Sequence, residues 1–496
     1  MKPLSGLDAG FLHLETPETP MHVASLHLFD LPEGYKGDFY DNIKRLLARR
    51  LHLAPIFRRK LAEMPLQFAN PVWVETDDVD LDYHVQRLVL PRPGTQAQLE
   101  ASIADVHSLL LDRTRPLWRL YIVDGLQSGQ AAYYIKVHHA VLDGPAGVLL
   151  AYALFDLQAK HRLPPAPPAH EEHPGIGELA AAALRHDAAQ YVKFVRHLPD
   201  VVRTLAGMVT SLGGGGAGRL SQNFAFGPKT PFNVAITAER GFAAVSIPLA
   251  EMKDIAKAHD AKVNDVVLAL CSGVLRRYLA HRGGIPRKPL IAAMPVSLRP
   301  AGDTEYTTQQ TFSLVNLQSQ ISDPIKRLCA IRDAASAMKS LVSSAKSVIP
   351  TDFPSIGVPW IMHGLAAAYG RSRLGNAIPP IANLVISNIP GPQMPLYAAG
   401  ARMVTYWPLS AVEHGLGLNI TVISYAGAMG FGFTTALNAV PDPRKLAEAL
   451  SDAHEELKQK TRPAATKTRK PPARTPATPS ARTQPAKHRA GSRTAS

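Results

Sequence analysis

Two long segments of this chain each alternate strand-like with helix-like patterns, and a stretch rich in proline and then glycine separates them. β-Branched and aromatic residues give strand patterns at 22–29, 118–126 and 131–139, with the turn sequence QSGQ between the last two. After the break, strand patterns fall at 241–249, 289–298, 312–321, 382–391, 418–427 and 428–437. Apolar residues with helical spacing lie between them, as at 96–112 and 264–283. Strands and helices mixed in both halves predict an α/β protein built from two similar domains.

The composition of the break and of the C-terminus sets the predicted domain boundaries. The first domain is expected at 1–159, and a proline-rich, semi-rigid linker begins at residue 160. The linker region, 160–225, also holds a basic, amphipathic helical pattern and a glycine run, which predicts a flexible loop because the lysine and hydroxyl residue of a phosphate-binding P-loop are missing. The second domain is expected at 226–457. The tail, 458–496, is rich in Ala, Pro, Thr and basic residues and is expected to be disordered.

The formal net charge of +14 belongs mainly to the tail. Eleven of the 54 Lys and Arg residues lie at 458–496, where Asp and Glu are absent, so the rest of the chain carries 43 basic against 40 acidic residues. This nearly neutral body argues against nucleic acid as a partner. The tail and the amphipathic helix are candidates for attraction to an anionic membrane or lipid-droplet surface. The alternatives are a helix that packs against the body, and a tail that binds nucleic acid or is solvated without a binding role. Two cysteines and the lack of a secretory pattern predict a cytoplasmic protein, peripherally associated with the inner membrane or lipid droplets.

The sequence IKVHHAVLDGPAG, at 135–147, holds the residues with the clearest chemical meaning. His138 and His139 end a predicted strand, and the turn residues Asp143 and Gly144 follow. Because successive side chains of a strand point to opposite faces, the two rings cannot easily share one metal ion, and no metal site is predicted. We expect one ring to face a cavity as a general base, since imidazole titrates near neutral pH, while the other packs inward. Two adjoining core histidines are the alternative.

The sequence offers these histidines no protein nucleophile. The G-x-S-x-G pattern is absent, and neither Cys271 nor Cys329 has a recognisable partner in the sequence. A covalent acyl-enzyme is therefore not indicated. A base without a protein nucleophile would activate a substrate hydroxyl for direct attack, which is the logic of acyl transfer to an alcohol.

The HHAVLDG sequence resembles the HHxxxDG motif of the bacterial wax ester synthase/acyl-CoA:diacylglycerol acyltransferases, within the chloramphenicol acetyltransferase and condensation-domain superfamily. Other segments resemble family motifs in the same order: LSGLDAGFLHLETPETPMHV (4–23), PLWRLYIVDGL (116–126), NDVVLALCSGVLRRYL (264–279), MPVSLRP (294–300), SNIPGP (387–392) and LNITVISYAG (418–427). The resemblance covers 4–457. It implies two chloramphenicol-acetyltransferase-like domains, with mixed sheets flanked by helices and an active site in a channel between them.

The resemblance also implies roles for particular residues. His139, the second histidine of the motif, would deprotonate the hydroxyl of a fatty alcohol or diacylglycerol for attack on the acyl-CoA thioester. His138 and Asp143 would be structural. Asn264 and Asp265, which resemble the family's ND motif, would support the site from the second domain.

Asp143 needs a cationic partner if it is buried, because an unpaired buried carboxylate is costly. In the wider superfamily the motif acid pairs with an arginine that follows a Pro-x-Leu/Phe step, and APIFRRKL at 54–61 makes Arg58 the candidate. The alternative is that Arg58 and Arg59 are solvated charges. One departure from the family is the sequence EYTTQQTFSLVNL at 305–317, where a Gly-Asn pair is usual, and it leaves the local contacts there open.

We therefore expect an acyl-CoA-dependent O-acyltransferase that makes wax esters from long-chain fatty alcohols, triacylglycerol from diacylglycerol, or both. Long-chain acyl-CoA, fatty alcohol and diacylglycerol are its expected partners, and no cofactor or metal is expected because acyl-CoA is a substrate. Two alternatives remain open. One is a superfamily acyltransferase with another hydroxyl or amine acceptor, and the other is a non-catalytic lipid-droplet or nucleoid-associated protein, against which the intact histidine motif counts.

Overall fold

The structure is a computed structural model, and it describes residues 2–62, 70–142, 144–160, 192, 227–297, 310–345 and 380–461. Its helices are α1 (Gly6–Leu14), α2 (Phe39–Ala48), α3 (Leu81–His84), α4 (Gln96–Ser108), α5 (Gly144–Leu154), α6 (Leu249–Ala258), α7 (Val263–Ala280), α8 (Pro324–Ala345) and α9 (Pro443–Thr461). Short 3₁₀ turns cover Leu51–Leu53 and Pro55–Phe57.

The strands of the described residues form mixed sheets, which confirms the predicted α/β class. In chain order they are β1 (Lys2–Pro3), β2 (His22–Asp30), β3 (Arg59–Ala62), β4 (Val72–Glu75), β5 (Val85–Val89), β6 (Trp118–Asp124), β7 (Ala131–His138), β8 (Arg240–Pro248), β9 (Ile291–Ser297), β10 (Gln310–Asn316), β11 (Leu384–Ile389), β12 (Tyr397–Ala398), β13 (Ala401–Met403), β14 (Trp407–Leu409), β15 (Leu418–Tyr425) and β16 (Ala428–Ala436).

The first large sheet belongs mainly to the N-terminal half and has the strand order β12-β13-β2-β7-β6-β5, with β14 also paired to β2. Strands β6 and β7 form the antiparallel hairpin that the QSGQ turn predicts. Strand β5 lies parallel to β6, while β2 lies antiparallel to β7, with His22 opposite His138. A small separate sheet has the order β1-β4-β3.

The second large sheet has the order β10-β9-β11-β15-β16-β8, in which β11 runs parallel to both of its neighbours. Alternate residues of its strands have different surroundings, as the pleat of a strand requires. Ile420 and Val422 of β15 lie in the hydrophobic core of this half. Asn419 and Thr421 point the other way and line a cavity. One face of the sheet is therefore structural, and the other is available for a site.

A segment of the C-terminal half crosses to the first sheet, where β13 and β14 both pair with β2. The crossing segment passes very close to β16 at two glycines. A Cβ atom at Gly430 would lie 2.1 Å from the Tyr406 carbonyl oxygen, and one at Gly432 would lie 1.8 Å from that of Pro408. Only a residue without a side chain allows this approach of two backbones, so the alternate glycines of GFGF are what let the crossing segment connect the sheets.

Substituting Gly432→Ala should therefore lower the free energy of unfolding by about 1–3 kcal/mol, because the added methyl group must displace the backbone of β14. Urea unfolding followed by far-UV circular dichroism measures the effect. The matched control is Gly10→Ala in α1, where an added Cβ would have no atom within 4 Å. Equal stability of the two variants would contradict the explanation.

The last helix runs past the position predicted as the end of the second domain. Helix α9 continues to Thr461, whereas the predicted boundary is 457. Two contacts extend it, since the Lys458 ammonium lies 2.8 Å from Glu251 and that of Lys460 lies 3.4 Å from Asp323. The predicted domain boundaries stay a prediction. The amphipathic helix, the glycine run and the rest of the tail fall outside the described residues, apart from residue 192.

Candidate active site

A cavity of about 150 Å³ lies between the two large sheets. Its wall is mostly apolar and comes from both halves of the chain. Strands β2 and β7 supply one side, and β11 and β15 supply the other. The crossing segment from Tyr406 to Ala411 lies against it as well. His139 is on this wall.

The histidine pair lies where β7 ends, and the backbone there is tightly held. The N–H of His138 donates to the Leu117 carbonyl at 3.0 Å, and that of His139 donates to the Met21 carbonyl at 2.8 Å. The His138 ring is completely buried, whereas His139 is partly exposed and lines the cavity. The two rings thus face opposite sides of the strand end, as the alternation of side chains requires.

Glu15 holds the ring of His138. The Nδ1 atom of His138 accepts a hydrogen bond of 3.0 Å from the Ala140 N–H, which assigns the proton of the neutral ring to Nε2. This Nε2 atom lies 3.3 Å from Oε1 of Glu15. The same carboxylate accepts from the Met21 N–H at 3.1 Å and from the Arg113 guanidinium at 3.0 Å. His138 therefore connects helix α1 to the turn that carries His139.

The charge state of Glu15 follows from these contacts. Its side chain is only 3% exposed, and burial by itself would raise the pKa of the carboxyl. The contact with the His138 Nε2–H and the charge of the Arg113 guanidinium outweigh burial and lower the pKa far below its usual value. Glu15 is thus a permanent carboxylate behind the histidine pair.

Helix α1 also contacts the second histidine. The Phe11 ring stacks on the His139 ring with centroids 4.0 Å apart and an angle of 14° between the planes. Phe11 lies in the last turns of α1 and Glu15 is the residue that ends the helix. Because the two are four residues apart, their side chains lie on the same side of the helix. One helix therefore orients both rings, with an aromatic contact for His139 and a carboxylate for His138.

Behind the pair, buried polar groups join β7 to helix α4. The Lys136 ammonium donates to the carbonyls of Val106 and Leu109, which belong to the C-terminal end of α4. The Tyr134 hydroxyl donates to Nδ1 of His107 at 2.7 Å. Burial, and after it the charge of Arg119, lowers the pKa of Lys136 to about 7. These groups position the strand on the side away from the cavity.

The lowered pKa of Lys136 predicts a pH-dependent stability. The pKa of Lys136 is about 7 in the folded chain, against the ordinary lysine value of 10.5 that applies to the unfolded chain. Between these two pH values the unfolded chain binds more protons, so the free energy of unfolding rises with pH. The rise is at most about 1.4 kcal/mol per pH unit. We expect it in urea unfolding of wild type between pH 7 and 8.5, and we expect Lys136→Met to lack it. Exposed Lys253 supplies the control Lys253→Met, and parallel curves for wild type and Lys136→Met would exclude the assignment.

The structure places the other sequence-predicted residues outside the cavity wall. Asn264, in the first turn of α7, accepts a hydrogen bond of 3.1 Å from Asn388, a residue of β11 between two that line the cavity. Asp265 is buried, and its carboxylate accepts from the Lys262 N–H at 2.8 Å, which caps α7. Arg58 pairs with Asp77. Asp143 lies outside the described residues, so the predicted pairing of Arg58 with Asp143 stays a prediction.

Several predicted features cannot be located. Asp143 itself lies outside the described residues, and Gly144 is described only as the first residue of α5. The segment that departs from the family pattern is described only from Gln310 onward. Within the described ranges, no cluster of three or more His, Cys, Asp or Glu side chains is arranged to hold a metal ion.

Sequence reasoning missed Phe11, Glu15 and Glu413 as individual site residues. Phe11 and Glu15 lie in the quoted N-terminal motif, and the available signal was an acid placed four residues after an aromatic residue at the end of an apolar helix. Glu413 gave no signal in the sequence, because its place on the cavity wall results from the crossing of the sheets.

Two large mixed sheets face a cavity whose wall carries the second histidine of the HHxxxDG sequence, which is the arrangement that the family resemblance implies. The wax ester synthase/diacylglycerol acyltransferase catalytic domain matches residues 4–267, and the C-terminal domain of the same proteins matches residues 308–458. The chain belongs to the wax ester synthase/diacylglycerol acyltransferase family. The predicted family and enzyme class are thereby confirmed.

Similar proteins agree with this assignment over nearly the whole chain. A Mycobacterium tuberculosis protein named as a diacylglycerol O-acyltransferase is 34% identical over 471 residues, which cover 92% of this chain and 90% of the relative. The solved wax ester synthase/diacylglycerol acyltransferase from Marinobacter aquaeolei VT8 is 28% identical, with a TM-score of 0.67 over 93% of this chain and 100% of that one. The first condensation domain of the calcium-dependent antibiotic synthetase, at 12% identity, shares the fold with a TM-score of 0.55 over 93% of this chain and 96% of its own.

Proposed function

We propose that this acyltransferase moves a long-chain acyl group from acyl-CoA to the hydroxyl of a fatty alcohol, of diacylglycerol, or of both. The observation that carries the proposal is His139 on the wall of a largely apolar cavity, with its ring held by Phe11. Neither Cys271 nor Cys329 is among the described residues that line this cavity. The base therefore acts on the acceptor and not on a protein thiol.

In the proposed reaction the His139 imidazole takes the proton of the acceptor hydroxyl as its oxygen attacks the thioester carbonyl. A new C–O bond forms, the C–S bond breaks, and the imidazolium returns the proton to the CoA thiolate. Base catalysis of this kind contributes about 10²–10⁴-fold. Placing both substrates in one enclosed space contributes further, because the bimolecular reaction becomes effectively unimolecular.

The experiment that tests the proposal measures CoA thiol release from palmitoyl-CoA by purified protein. Hexadecanol, dioleoylglycerol or no acceptor is added, and the lipid products are separated by thin-layer chromatography. Release that depends on an acceptor, with wax ester or triacylglycerol as the product, is the expected result. If CoA is released with neither hexadecanol nor dioleoylglycerol, the proposed substrates are wrong and another acceptor is favoured.

We also propose that the protein works in the cytoplasm, at the surface of the inner membrane or of lipid droplets. In the described part of the chain, none of the helices combines the length and hydropathy needed to span a bilayer. The basic tail supports a peripheral attachment instead, since each Lys or Arg near an anionic surface contributes about 1 kcal/mol to binding.

Removing residues 462–496, which contain nine Lys and Arg residues, should weaken binding to vesicles of anionic phosphatidylglycerol by more than about 10-fold. The truncation keeps helix α9 complete. Flotation at low and high salt measures the binding. A variant with a scrambled tail of identical composition is the control and should bind like wild type, because attraction to surface charge does not depend on residue order. Salt-insensitive binding, or no effect of truncation, would exclude the proposed attachment.

A further inference from the structure

Glu413 is a second ionisable residue on the cavity wall that holds His139. It lies in the turn between β14 and β15, where the chain returns from the first sheet to the second. Its carboxyl has no hydrogen-bond or ion-pair partner within the described part of the chain. The Glu413 side chain is partly exposed on this wall, so its carboxyl is accessible to a molecule in the cavity.

The turn that carries Glu413 is held firmly in place. The Leu416 N–H donates to the Glu413 carbonyl at 2.9 Å, which closes the turn. The Gly415 N–H donates to the Val234 carbonyl at 2.8 Å, and the Asn233 amide donates to the Gly415 carbonyl at 2.7 Å. The position of Glu413 on the wall is therefore set by the backbone of both neighbouring segments.

Two neighbouring polar side chains of the same wall have partners within the protein. The Asn419 amide donates to the Ala411 carbonyl at 3.0 Å, and the Thr421 hydroxyl donates to the Asn419 side-chain oxygen at 2.8 Å. These groups have no need of a ligand. The carboxyl of Glu413 differs from them because nothing in the described structure uses its hydrogen-bonding capacity.

The surroundings of Glu413 favour the uncharged acid. Among the described residues that line the cavity, His139 is the one basic residue, so no lysine or arginine is there to stabilise a carboxylate. Burial alone raises the pKa of the Glu413 carboxyl. A protonated carboxyl presents an O–H donor, which a carboxylate lacks.

We propose that Glu413 is a substrate-binding residue, whose carboxyl O–H donates a hydrogen bond to a carbonyl oxygen of a substrate in the cavity. The inference rests on the proposed function, because it takes the His139 cavity as the place where the substrates meet. A carbonyl is the matching group: acyl-CoA has thioester and pantetheine amide carbonyls, and diacylglycerol has two ester carbonyls. A fatty alcohol has no carbonyl, so a comparison of the two acceptors shows whether the bound carbonyl belongs to acyl-CoA or to diacylglycerol.

The test compares wild type with Glu413→Leu, which removes the donor at similar volume, and Glu413→Gln, which keeps an N–H donor. The kcat and KM values are measured for palmitoyl-CoA with hexadecanol and with dioleoylglycerol. Equilibrium binding of each lipid by calorimetry is measured as well, so the outcome does not depend on turnover. The control is Glu33→Leu, which makes the same change at an exposed position.

We expect Glu413→Leu to weaken binding or lower kcat/KM by about 3–10-fold, the effect of one hydrogen bond, and Glu413→Gln to recover most of it. A loss seen with both acceptors assigns the carbonyl to acyl-CoA, and a loss confined to dioleoylglycerol assigns it to the acceptor ester. The melting temperature of Glu413→Leu should be unchanged or higher, because an unpaired polar group is replaced by an apolar one. A purely structural Glu413 would give a lower melting temperature instead.

Binding and kinetics of Glu413→Leu that equal those of wild type with both lipids would overturn the inference. The proposed function would then still stand if wild type shows acceptor-dependent CoA release. Conversely, a wild type that binds palmitoyl-CoA without any transfer would contradict the proposed reaction, while the calorimetric comparison of the two proteins would still decide the role of Glu413.

Discussion

Substitution His139→Ala is expected to lower acceptor-dependent CoA release by about 10²–10⁴-fold, the usual contribution of a general base. The His139 ring lies on the cavity wall and stacks on the Phe11 ring. The backbone N–H of His139 donates to the Met21 carbonyl, which fixes the main chain that carries the ring. Removing it leaves the substrate sites in place, so the loss should fall mainly on kcat. Initial rates with palmitoyl-CoA and each acceptor measure it.

The matched control is His281→Ala, which removes an exposed imidazole from the end of helix α7. It should have wild-type activity, and both variants should keep the wild-type melting temperature within a few degrees. A His139→Ala protein that keeps more than a tenth of the wild-type rate would remove His139 as the base. Rapid mixing of wild type with palmitoyl-CoA alone should show no stoichiometric burst of CoA, because direct transfer forms no acyl-enzyme.

The pattern of side chains at the histidine pair was predictable because it depends on local geometry. A strand places consecutive residues on opposite faces, so the separation of His138 from His139 follows from the sequence once the strand is recognised. The same holds for β15, where alternate residues divide between core and cavity. The β6–β7 hairpin likewise follows from two strand patterns and the short turn between them.

Partners that are distant in sequence were not predictable in the same way. The Arg58 guanidinium is bound by Asp77, an acid that becomes its neighbour through the pairing of β3 with β4, and this pairing is not visible in local patterns. Strands β12 to β14 are short, and they join the sheet of the other half. Glu413 is on the cavity wall because of that crossing, so its importance appears only in three dimensions.

Replacing Glu15 should reduce turnover through the positions of the two histidines. Glu15→Ala leaves the His138 Nε2–H and the Met21 N–H without their acceptor, and leaving such groups unpaired costs about 1–3 kcal/mol each. Since the turn after His138 depends on that ring, His139 should shift, and a displacement of about 1 Å can lower turnover about 10²-fold. The kcat per folded molecule is the measurement, because a purely structural role would lower the melting temperature and leave kcat unchanged.

Glu15→Gln separates the hydrogen bonds from the charge. Its amide oxygen can still accept from His138 and Met21, so it should recover much of the kcat that Glu15→Ala loses, while the Arg113 guanidinium loses its counter-ion.

The pKa of Glu15 lies below its usual 4.5, so the carboxylate stabilises the fold above pH 4.5, and this contribution is lost as the pH falls below that value. Wild type should therefore lose stability more steeply in acid than Glu15→Gln. The control Glu18→Gln, at an exposed position three residues along the chain, should follow wild type in both respects. If instead Glu15→Ala has a normal kcat once its folded fraction is counted, helix α1 does not position the catalytic histidine, and Phe11 and Glu15 only stabilise the fold.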